Sequence, residues 1–143
     1  MFASRLLIPK ALRRMSTLQT ISTKRAPGAI GPYSQAIVVN NIVYTSGQIP
    51  VDPATNELVE NDVRVQTRQV LKNLSALLED SGSGMNNVIK TTVFLKDMND
   101  FVKMNEEYAK AFGDHRPARS AVEVARLPKD VLVEIECVAL LKQ

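Results

Sequence analysis

One arginine in this 143-residue chain has the surroundings that a binding site for a small acid needs. Arg119 lies in the run Arg116-Pro-Ala-Arg-Ser120, where a loop is expected to become a strand. A guanidinium held at such a place presents a rigid fork of N–H donors, which binds a carboxylate through two hydrogen bonds. Structural ion pairs are common, so the same arginine could instead neutralise a carboxylate of the protein itself. Both interpretations stay open on these residues alone.

Two carboxylates, Glu134 and Glu136, interrupt an otherwise apolar strand near the end of the sequence. Side chains alternate between the two faces of a strand, so both carboxylates point to one side, away from the row Val133, Ile135 and Cys137. Partial burial would raise the pKa of either carboxyl group and would suit it to act as a general base toward water. A solvated strand face without a catalytic role is the other interpretation.

A tyrosine and a glycine-containing loop supply further candidate groups. Tyr33 follows Gly31-Pro32, where a phenol can donate a hydrogen bond into a cleft or can simply pack. Ser46 and Gly47 follow a predicted strand, and the backbone N–H of the glycine is compatible with an anion contact or with an ordinary turn. These residues extend the candidate site without deciding its chemistry.

Metal and nucleotide chemistry are disfavoured by the composition. The sequence has one cysteine, Cys137, and one histidine, His115, whereas a zinc site usually needs three or four ligands. Neither a GxGxxG loop nor a GxxxxGK loop is present. Cys137 falls in the apolar row of the last strand and is expected to be an inert core thiol, and His115 is expected at the surface. We therefore expect no metal and no other cofactor.

The positive charge of the chain is concentrated at its N-terminus. The net charge is +3, yet no acidic residue precedes Asp52, and four cations lie between Met1 and Met15. Without residues 1–15 the chain has 14 basic and 15 acidic residues, a net charge of −1. An arginine-rich, acid-free N-terminus is typical of a mitochondrial transit peptide, although a disordered tail or an ordinary helix start would have a similar composition. We therefore predict a transit peptide over residues 1–15 and a protein of the mitochondrial matrix.

The remainder of the chain is predicted to form one α+β domain. The predicted elements, in order, are two strands joined by a tight turn, a helix, a strand, a second helix and two strands, at 36–39, 42–45, 62–81, 87–95, 100–112, 119–125 and 131–141. The helices are expected to pack on one face of a mixed sheet, and an oligomer would cover the other face, which is partly apolar. No apolar run approaches the ~20 residues that span a bilayer, so no membrane association is expected.

Five segments, taken together and in this order, resemble the Rid family, which is also called YjgF. They are GPYSQA at 31–36, SGQIP at 46–50, IKTTVFLKD at 89–97, RPARS at 116–120 and EVARLPKD at 123–130. The resemblance extends over residues 20–143, nearly the whole domain. Together with the predicted transit peptide, the chain resembles the fungal mitochondrial members that are linked to mitochondrial genome maintenance and isoleucine synthesis.

The resemblance implies a chorismate-mutase-like homotrimer with three sites at its subunit interfaces. It implies hydrolysis of reactive 2-enamine and 2-imino acids, such as 2-aminoacrylate, 2-iminopropanoate and 2-iminobutanoate, to 2-oxo acids and ammonia. Pyridoxal-phosphate-dependent serine/threonine dehydratases release these intermediates and are the implied functional partners. The resemblance implies no cofactor for the reaction.

The same resemblance assigns catalytic roles to three residues. Arg119 matches the arginine that binds the substrate carboxylate, Glu134 matches the glutamate that positions or activates water, and Tyr33 matches a tyrosine of the site. The implied mechanism has the imino acid docked on Arg119 while Glu134 orients a water molecule toward the imine carbon. General acid–base assistance of this kind is worth roughly 10²–10⁴ in rate.

Four further positions are implied to bind substrate. Ser46 and Gly47 match a loop that offers a backbone contact, and Asn105 matches an asparagine that lines the site. Many family members have a cysteine where this chain has Ala121, and the contact there is made by the backbone carbonyl, which alanine retains. Deamination is therefore still expected of this chain, whereas a thiol-dependent role is not.

Two other functions stay open at the level of sequence. Some family members have been described as endoribonucleases or translation inhibitors, but the net charge of −1 without residues 1–15 argues against an RNA-directed role. A non-catalytic trimer that holds a small carboxylate in the same clefts is the other alternative. Fold alone does not separate such a protein from an enzyme.

Overall fold

The computed structural model describes residues 17–143 of the chain. The predicted transit peptide, residues 1–15, lies outside the described residues. The first described strand, β1, covers Gln19–Ile21, close to the position where the sequence predicts the domain to begin. No helix within residues 17–143 has the length and apolar character needed to cross a membrane.

Six of the eight strands in the described residues form one mixed sheet, in the order β1-β2-β3-β8-β6-β7. Besides β1 these are Ala36–Val39 (β2), Ile42–Thr45 (β3), Val88–Leu95 (β6), Ala118–Glu123 (β7) and Val133–Leu140 (β8). The remaining two, Val51–Asp52 (β4) and Glu57–Leu58 (β5), form a separate small hairpin. All neighbours in the large sheet are antiparallel except β6 and β7, which are parallel because a helix returns the chain between them.

The predicted hairpin between β2 and β3 is confirmed. Val39 lies opposite Ile42, so Asn40 and Asn41 form a two-residue turn. Both asparagines have left-handed backbones, with φ of 50° and 63°, as a type I′ turn requires. Asparagine tolerates this conformation better than other non-glycine residues, which is why the pair could be recognised as a turn.

Two helices cover one face of the sheet, and the predicted α+β class is confirmed. Helix α1 spans Val63–Asp80, and the side chain of Asp62 accepts hydrogen bonds from two backbone N–H groups of its first turn. This cap satisfies donors that lack partners within the helix. Helix α2 spans Phe101–Phe112 and ends at Gly113, whose φ of 59° is left-handed.

The core lies between these helices and the sheet. Its fully buried aliphatic side chains include Val43, Val70, Leu74, Leu77, Leu78, Val93, Leu95, Met104, Val133 and Ile135. Burying each such side chain contributes about 1.5–3 kcal/mol relative to leaving it in water. In β8, the core-facing residues alternate with Glu134 and Glu136, which therefore project from the opposite side of the sheet, as predicted.

The side of the sheet without helices is called the open face below. It carries large apolar side chains besides the two glutamates, and Tyr44, Val122 and Leu140 expose 46%, 43% and 47% of their surface. Register places Tyr44 beside Val138 in neighbouring strands. Apolar surface of this kind on a sheet is typical of an interface with another chain.

Sequence patterns missed the shortest strands and misplaced two strand ends. Strands β1, β4 and β5 have only two or three residues each, which is too short for an alternating pattern to be recognised. Strand β7 ends at Glu123, and β8 begins only at Val133. Between them the turn Pro128–Asp130 contains two successive left-handed residues, Lys129 and Asp130, with φ of 55° and 56°. This turn shortens both strands relative to the prediction.

Candidate functional site

The register of the strands places Arg119 on the helix-covered face of the sheet. Arg119 in β7 lies opposite Thr91 in β6, which in turn lies opposite Cys137 in β8. Residues in one such row project from the same face, and both Thr91 and Cys137 are buried beneath the helices. Because β7 is an edge strand, Arg119 remains exposed beside α2.

Side chains of α2 hold the guanidinium group of Arg119. Its Cζ atom lies 4.7 Å from the ring centroid of Tyr108 and 5.5 Å from that of Phe101, within the range of cation–π attraction. Nη1 donates a hydrogen bond of 2.7 Å to Oδ1 of Asn105. Three side chains therefore orient the fork, while most of its five N–H donors remain available for a ligand.

Tyr108, the ring closest to Arg119, is itself fixed in place. Its hydroxyl and Oγ1 of Thr91 are 2.7 Å apart, and its ring lies 4.5 Å from that of Phe112. Burial is the main cause that raises the pKa of Tyr108, so the phenol is neutral at physiological pH. Arg119 thus rests on a rigid, uncharged platform.

A cleft of about 430 Å³ opens beside this platform, and it is called the arginine cleft below. Its lining residues are Asn105, Tyr108, Ala109, Arg116, Pro117 and Arg119. No carboxylate in residues 17–143 lies within 4.0 Å of the guanidinium nitrogens of Arg119 or Arg116. The structural ion pair that the sequence left open is therefore absent from this part of the chain. Two guanidinium groups without a nearby acid give the cleft a positive charge, which favours anions.

A second cleft, of about 260 Å³, surrounds Glu134 on the open face, and it is called the glutamate cleft below. The structure brings four of the predicted site residues together here, namely Glu134, Tyr33, Ser46 and Gly47. Apolar residues complete the lining, namely Ile30, Ile49 and Pro128. The cleft therefore combines one carboxylate with a phenol and a backbone loop.

Any residue larger than glycine at position 47 would collide with the side chain of Glu134. A Cβ atom at this position would lie 1.8 Å from Oε1 and 2.7 Å from Cδ of Glu134, which is far closer than non-bonded atoms approach. The preceding Ser46 is anchored to the chain, since its N–H donates to the Gln35 carbonyl at 2.9 Å and its hydroxyl to the Ser34 carbonyl at 2.6 Å. The loop thereby supports the carboxylate from one side.

The two titratable groups of the glutamate cleft are both placed to contact a ligand. Glu134 is half-buried, and its burial, assisted by the neighbouring Glu136, raises the pKa of its carboxyl group. A raised pKa makes the ionised carboxylate a better proton acceptor. The hydroxyl of Tyr33 accepts a hydrogen bond of 3.2 Å from the N–H of Ile30, so its own proton is free to be donated elsewhere.

The arginine cleft and the glutamate cleft lie on opposite faces of the sheet. Glu134 lies opposite Phe94 of β6, three residues beyond Thr91, the residue opposite Arg119. The Cα atoms of Arg119 and Glu134 are two strand spacings apart across the sheet and three residues apart along it, which amounts to about 14 Å. Their side chains also project from opposite faces of the sheet. One chain therefore does not bring Arg119 and Glu134 to the same small molecule.

Three other residues named in the sequence analysis, Ala121, Cys137 and His115, are not among the lining residues of either cleft. Ala121 lies opposite Val93, on the Arg119 face of β7, and packs against the core. Cys137 is buried, which raises its pKa to about 12, so the predicted inert core thiol is confirmed. His115 is half-buried rather than at the open surface, and its Nε2 lies 2.7 Å from the carbonyl of Val88. Within residues 17–143, no group of three or more potential ligands could hold a metal ion.

The sequence analysis named Asn105 for the site, and the structure places it on Arg119, but the two aromatic rings under Arg119 were missed. Phe101 and Tyr108 lie on the apolar face of α2, which periodicity assigns to the core. Asn105 lies on the same side of the helix, four residues after Phe101 and three before Tyr108. A polar residue in the middle of an apolar helix face is the signal that could have revealed the platform.

The α+β sheet of this chain thus has a cleft lined by two arginines on its helix-covered face and a cleft around a glutamate on its open face. A family model described as "Endoribonuclease L-PSP" matches residues 23–141. The 2-iminobutanoate/2-iminopropanoate deaminase of Escherichia coli is 52% identical over 125 residues, which are 85% of this chain and 97% of that protein. The chain belongs to this family, and its resemblance to Rid proteins is confirmed.

Solved structures agree with this assignment. Yeast Mmf1 matches with a TM-score of 0.85 and 46% identity, over 88% of this chain and 100% of the yeast chain. Escherichia coli TdcF, solved with bound serine, matches with a TM-score of 0.82 and 48% identity, over 87% of this chain and 99% of the other. The yeast structure supports the predicted likeness to fungal members.

Proposed function

We propose that this chain is a cofactor-independent hydrolase that converts 2-imino and 2-enamine acids, such as 2-iminobutanoate and 2-iminopropanoate, to 2-oxo acids and ammonia. The observation that carries the proposal is the Arg119 guanidinium, which is oriented on the α2 platform in a small cleft without an acidic partner in residues 17–143. Such a fork binds a carboxylate. The activity for which the Escherichia coli relative is named supports the substrate class.

In the proposed reaction the carboxylate of the imino acid docks on Arg119, and Glu134 orients a water molecule toward the imine carbon. The water oxygen forms a bond to that carbon, and Glu134 accepts a proton from the water. The imine nitrogen takes up a proton as the water adds, which gives a carbinolamine. Its nitrogen then takes up a further proton and leaves as ammonia when the C–N bond breaks, while the hydroxyl group loses its proton and becomes the C=O group of the 2-oxo acid. Tyr33 donates a hydrogen bond to the reacting group, and backbone atoms of Ser46, Gly47 and Ala121 contact the substrate.

The reaction needs a second copy of the chain, because one chain holds Arg119 and Glu134 on opposite faces of its sheet. We propose a homotrimer in which the arginine cleft of one chain meets the glutamate cleft of its neighbour. The apolar open face supports this arrangement, since Tyr44, Val122 and Leu140 would otherwise remain in water. A rotationally closed ring of three then contains three equal sites.

The experiment couples a pyridoxal-phosphate-dependent serine/threonine dehydratase to the full chain and follows 2-oxo acid release. Arg119→Ala and Glu134→Ala are each expected to remove most of the acceleration, whereas an equal mixture of the two, refolded together, regains activity. Random assembly places an intact Arg119 beside an intact Glu134 in about one quarter of the sites. Regained activity near that fraction supports the two-chain site, and no regain contradicts it.

Three further outcomes would redirect the proposal. Carboxylate binding without any acceleration by the wild-type chain would make it a non-catalytic binding trimer. A monomer in light scattering that retains full activity would refute the site between chains. RNA cleavage that survives Arg119→Ala and Glu134→Ala would instead favour an RNA-directed function.

We also propose that the protein works in the mitochondrial matrix, where it protects branched-chain amino-acid synthesis and supports genome maintenance. The cations and the absence of acids in residues 1–15 support the location. Deleting residues 1–15, with a new initiator methionine, is expected to leave a fluorescent fusion in the cytosol. An unchanged mitochondrial signal would contradict the predicted transit peptide.

A further inference from the structure

A second arginine, Arg116, lines the same cleft as Arg119. Neither guanidinium has a carboxylate within 4.0 Å in residues 17–143. Two like charges that share a cleft repel each other, and one carboxylate neutralises only half of their charge. The cleft therefore has the electrostatics of a site for a dianion.

Arg116 is held by the end of helix α2. Its Nη1 donates to the backbone carbonyl of Gly113 and, at 2.9 Å, to that of His115. A cation is stabilised at the C-terminal end of a helix, where the macrodipole is negative. Neither Nε nor Nη2 donates to another group in the part of the chain that the structure describes. These nitrogens form the second edge of the fork, the edge that carboxylates bind in pairs of hydrogen bonds.

The spacing of the two arginines suits a small ligand. They are three positions apart in the sequence, so their Cα atoms are at most about 11 Å apart. Pro117 follows Arg116 and favours an extended backbone at that residue. The cleft of about 430 Å³ is near the lower end of ligand sites in proteins. A short dicarboxylic acid matches both the size and the charge.

We propose that Arg116 binds a second carboxylate of the substrate and that the chain hydrolyses 2-imino dicarboxylic acids as well as monocarboxylic ones. This inference rests on the proposed function. The carboxylate next to the imine docks on Arg119, and the side-chain carboxylate binds Nε and Nη2 of Arg116. The bond changes are those of the monocarboxylic reaction: water adds to the C=N carbon, the C–N bond breaks, and ammonia leaves. The product is a 2-oxo dicarboxylic acid.

The kinetic test compares imino acids made in place from glutamate and from alanine by amino-acid oxidases that use O₂. Arg116→Gln is expected to lower kcat/KM for the dicarboxylic imino acid about tenfold to a hundredfold more than for 2-iminopropanoate, since it removes one charge-assisted contact. Glutamine keeps an amide donor but reaches two atoms less far than Nη1 of the arginine, so circular dichroism of the variant checks that its fold is unchanged. Lys72→Gln removes one exposed charge from α1, outside both clefts, and serves as the matched control.

A binding measurement separates this inference from the proposed function. Calorimetry on the full chain is expected to show tighter binding of 2-oxoglutarate than of 2-oxobutanoate, and Arg116→Gln is expected to remove the difference. Hydrolysis of 2-iminopropanoate without any preference that depends on Arg116 would overturn the dicarboxylate proposal alone. Binding of 2-oxoglutarate that depends on Arg116, without hydrolysis of either imino acid, would overturn the proposed function and leave dicarboxylate recognition standing. An equal loss of kcat/KM on both substrates in Arg116→Gln would also overturn the dicarboxylate proposal.

Discussion

The arginine cleft and the glutamate cleft hold their main residues in different ways. Arg119 is exposed, carries a permanent charge, and is oriented from below by the aromatic platform of α2. Glu134 is half-buried, carries a charge that depends on pH, and is pressed against the backbone at Gly47. An anchor needs a charge that does not titrate, whereas a proton acceptor needs one that does. The two sides of the sheet supply one of each.

The largest expected effect comes from removing the anchor. Arg119→Ala is expected to lower kcat/KM by about 10²–10³-fold, because the substrate carboxylate loses its charged partner. Arg119→Lys keeps the charge without the fork and should lie between alanine and wild type. Steady-state kinetics of 2-oxo acid release measure both, with Lys72→Ala as a control for charge. If Arg119→Ala keeps wild-type kcat/KM, the arginine cleft does not anchor the substrate.

A smaller loss is expected from a single methyl group in the other cleft. Gly47→Ala places a Cβ where the Glu134 carboxylate lies, and displacing a reacting group by about 1 Å costs up to about 10²-fold. Gly28→Ala is the matched control, because a Cβ there meets nothing within 4 Å. Kinetics and circular dichroism of both variants are compared. Equal activity of the two variants would show that the position of Glu134 does not matter.

The pH dependence of activity is expected to depend on the glutamate cleft rather than on the arginine cleft. The pKa of Glu134 is raised by burial first and by Glu136 second, so its carboxylate forms at a higher pH than that of an unperturbed glutamate. Activity should therefore fall as pH decreases through this raised pKa. Glu136→Gln removes the smaller cause and is expected to move the acid limb of kcat/KM to lower pH. A limb that does not move would assign the acid limb to another group.

The smallest effect is expected at Cys137, which shares a sheet row with Arg119. Burial raises its pKa to about 12, so the reactive thiolate is scarce at neutral pH. Iodoacetamide should leave the folded chain unlabelled and modify it only in denaturant, as mass spectrometry can measure. Cys137→Ala should leave kcat/KM at the wild-type value. A loss of activity on labelling or substitution would show that the arginine side of the sheet depends on a thiol.

Much of the fold could be predicted because its signals are local. In the sequence, Asn40-Asn41 is typical of a hairpin turn, Asn61 or Asp62 of the cap that begins α1, and Gly113 of the end of α2, since each residue type has a specific backbone or capping role. The alternation in β8 also placed Glu134 on the side away from the core. These features need no information about distant parts of the chain.

The relation between the two clefts could not be predicted in this way. It depends on the register of β6 with β7 and with β8, which aligns Arg119 with Thr91 and Glu134 with Phe94. A shift of one residue would turn every side chain to the other face. The sequence motifs named the residues of the site, but the division of the site between two faces is a property of strand pairing.

The turn before β8 has a consequence for laboratory evolution of this protein. Lys129 has a left-handed backbone, which costs a non-glycine residue roughly 1–2 kcal/mol, while glycine carries an entropic cost of about 0.5–1 kcal/mol. A library screened only for heat resistance would therefore enrich glycine at this position. Yet Pro128, the preceding residue, lines the glutamate cleft beside Glu134. A more flexible turn at position 129 would allow Pro128 to move relative to Glu134. Screening for survival at high temperature and screening for turnover are thus expected to select different residues at the same codon.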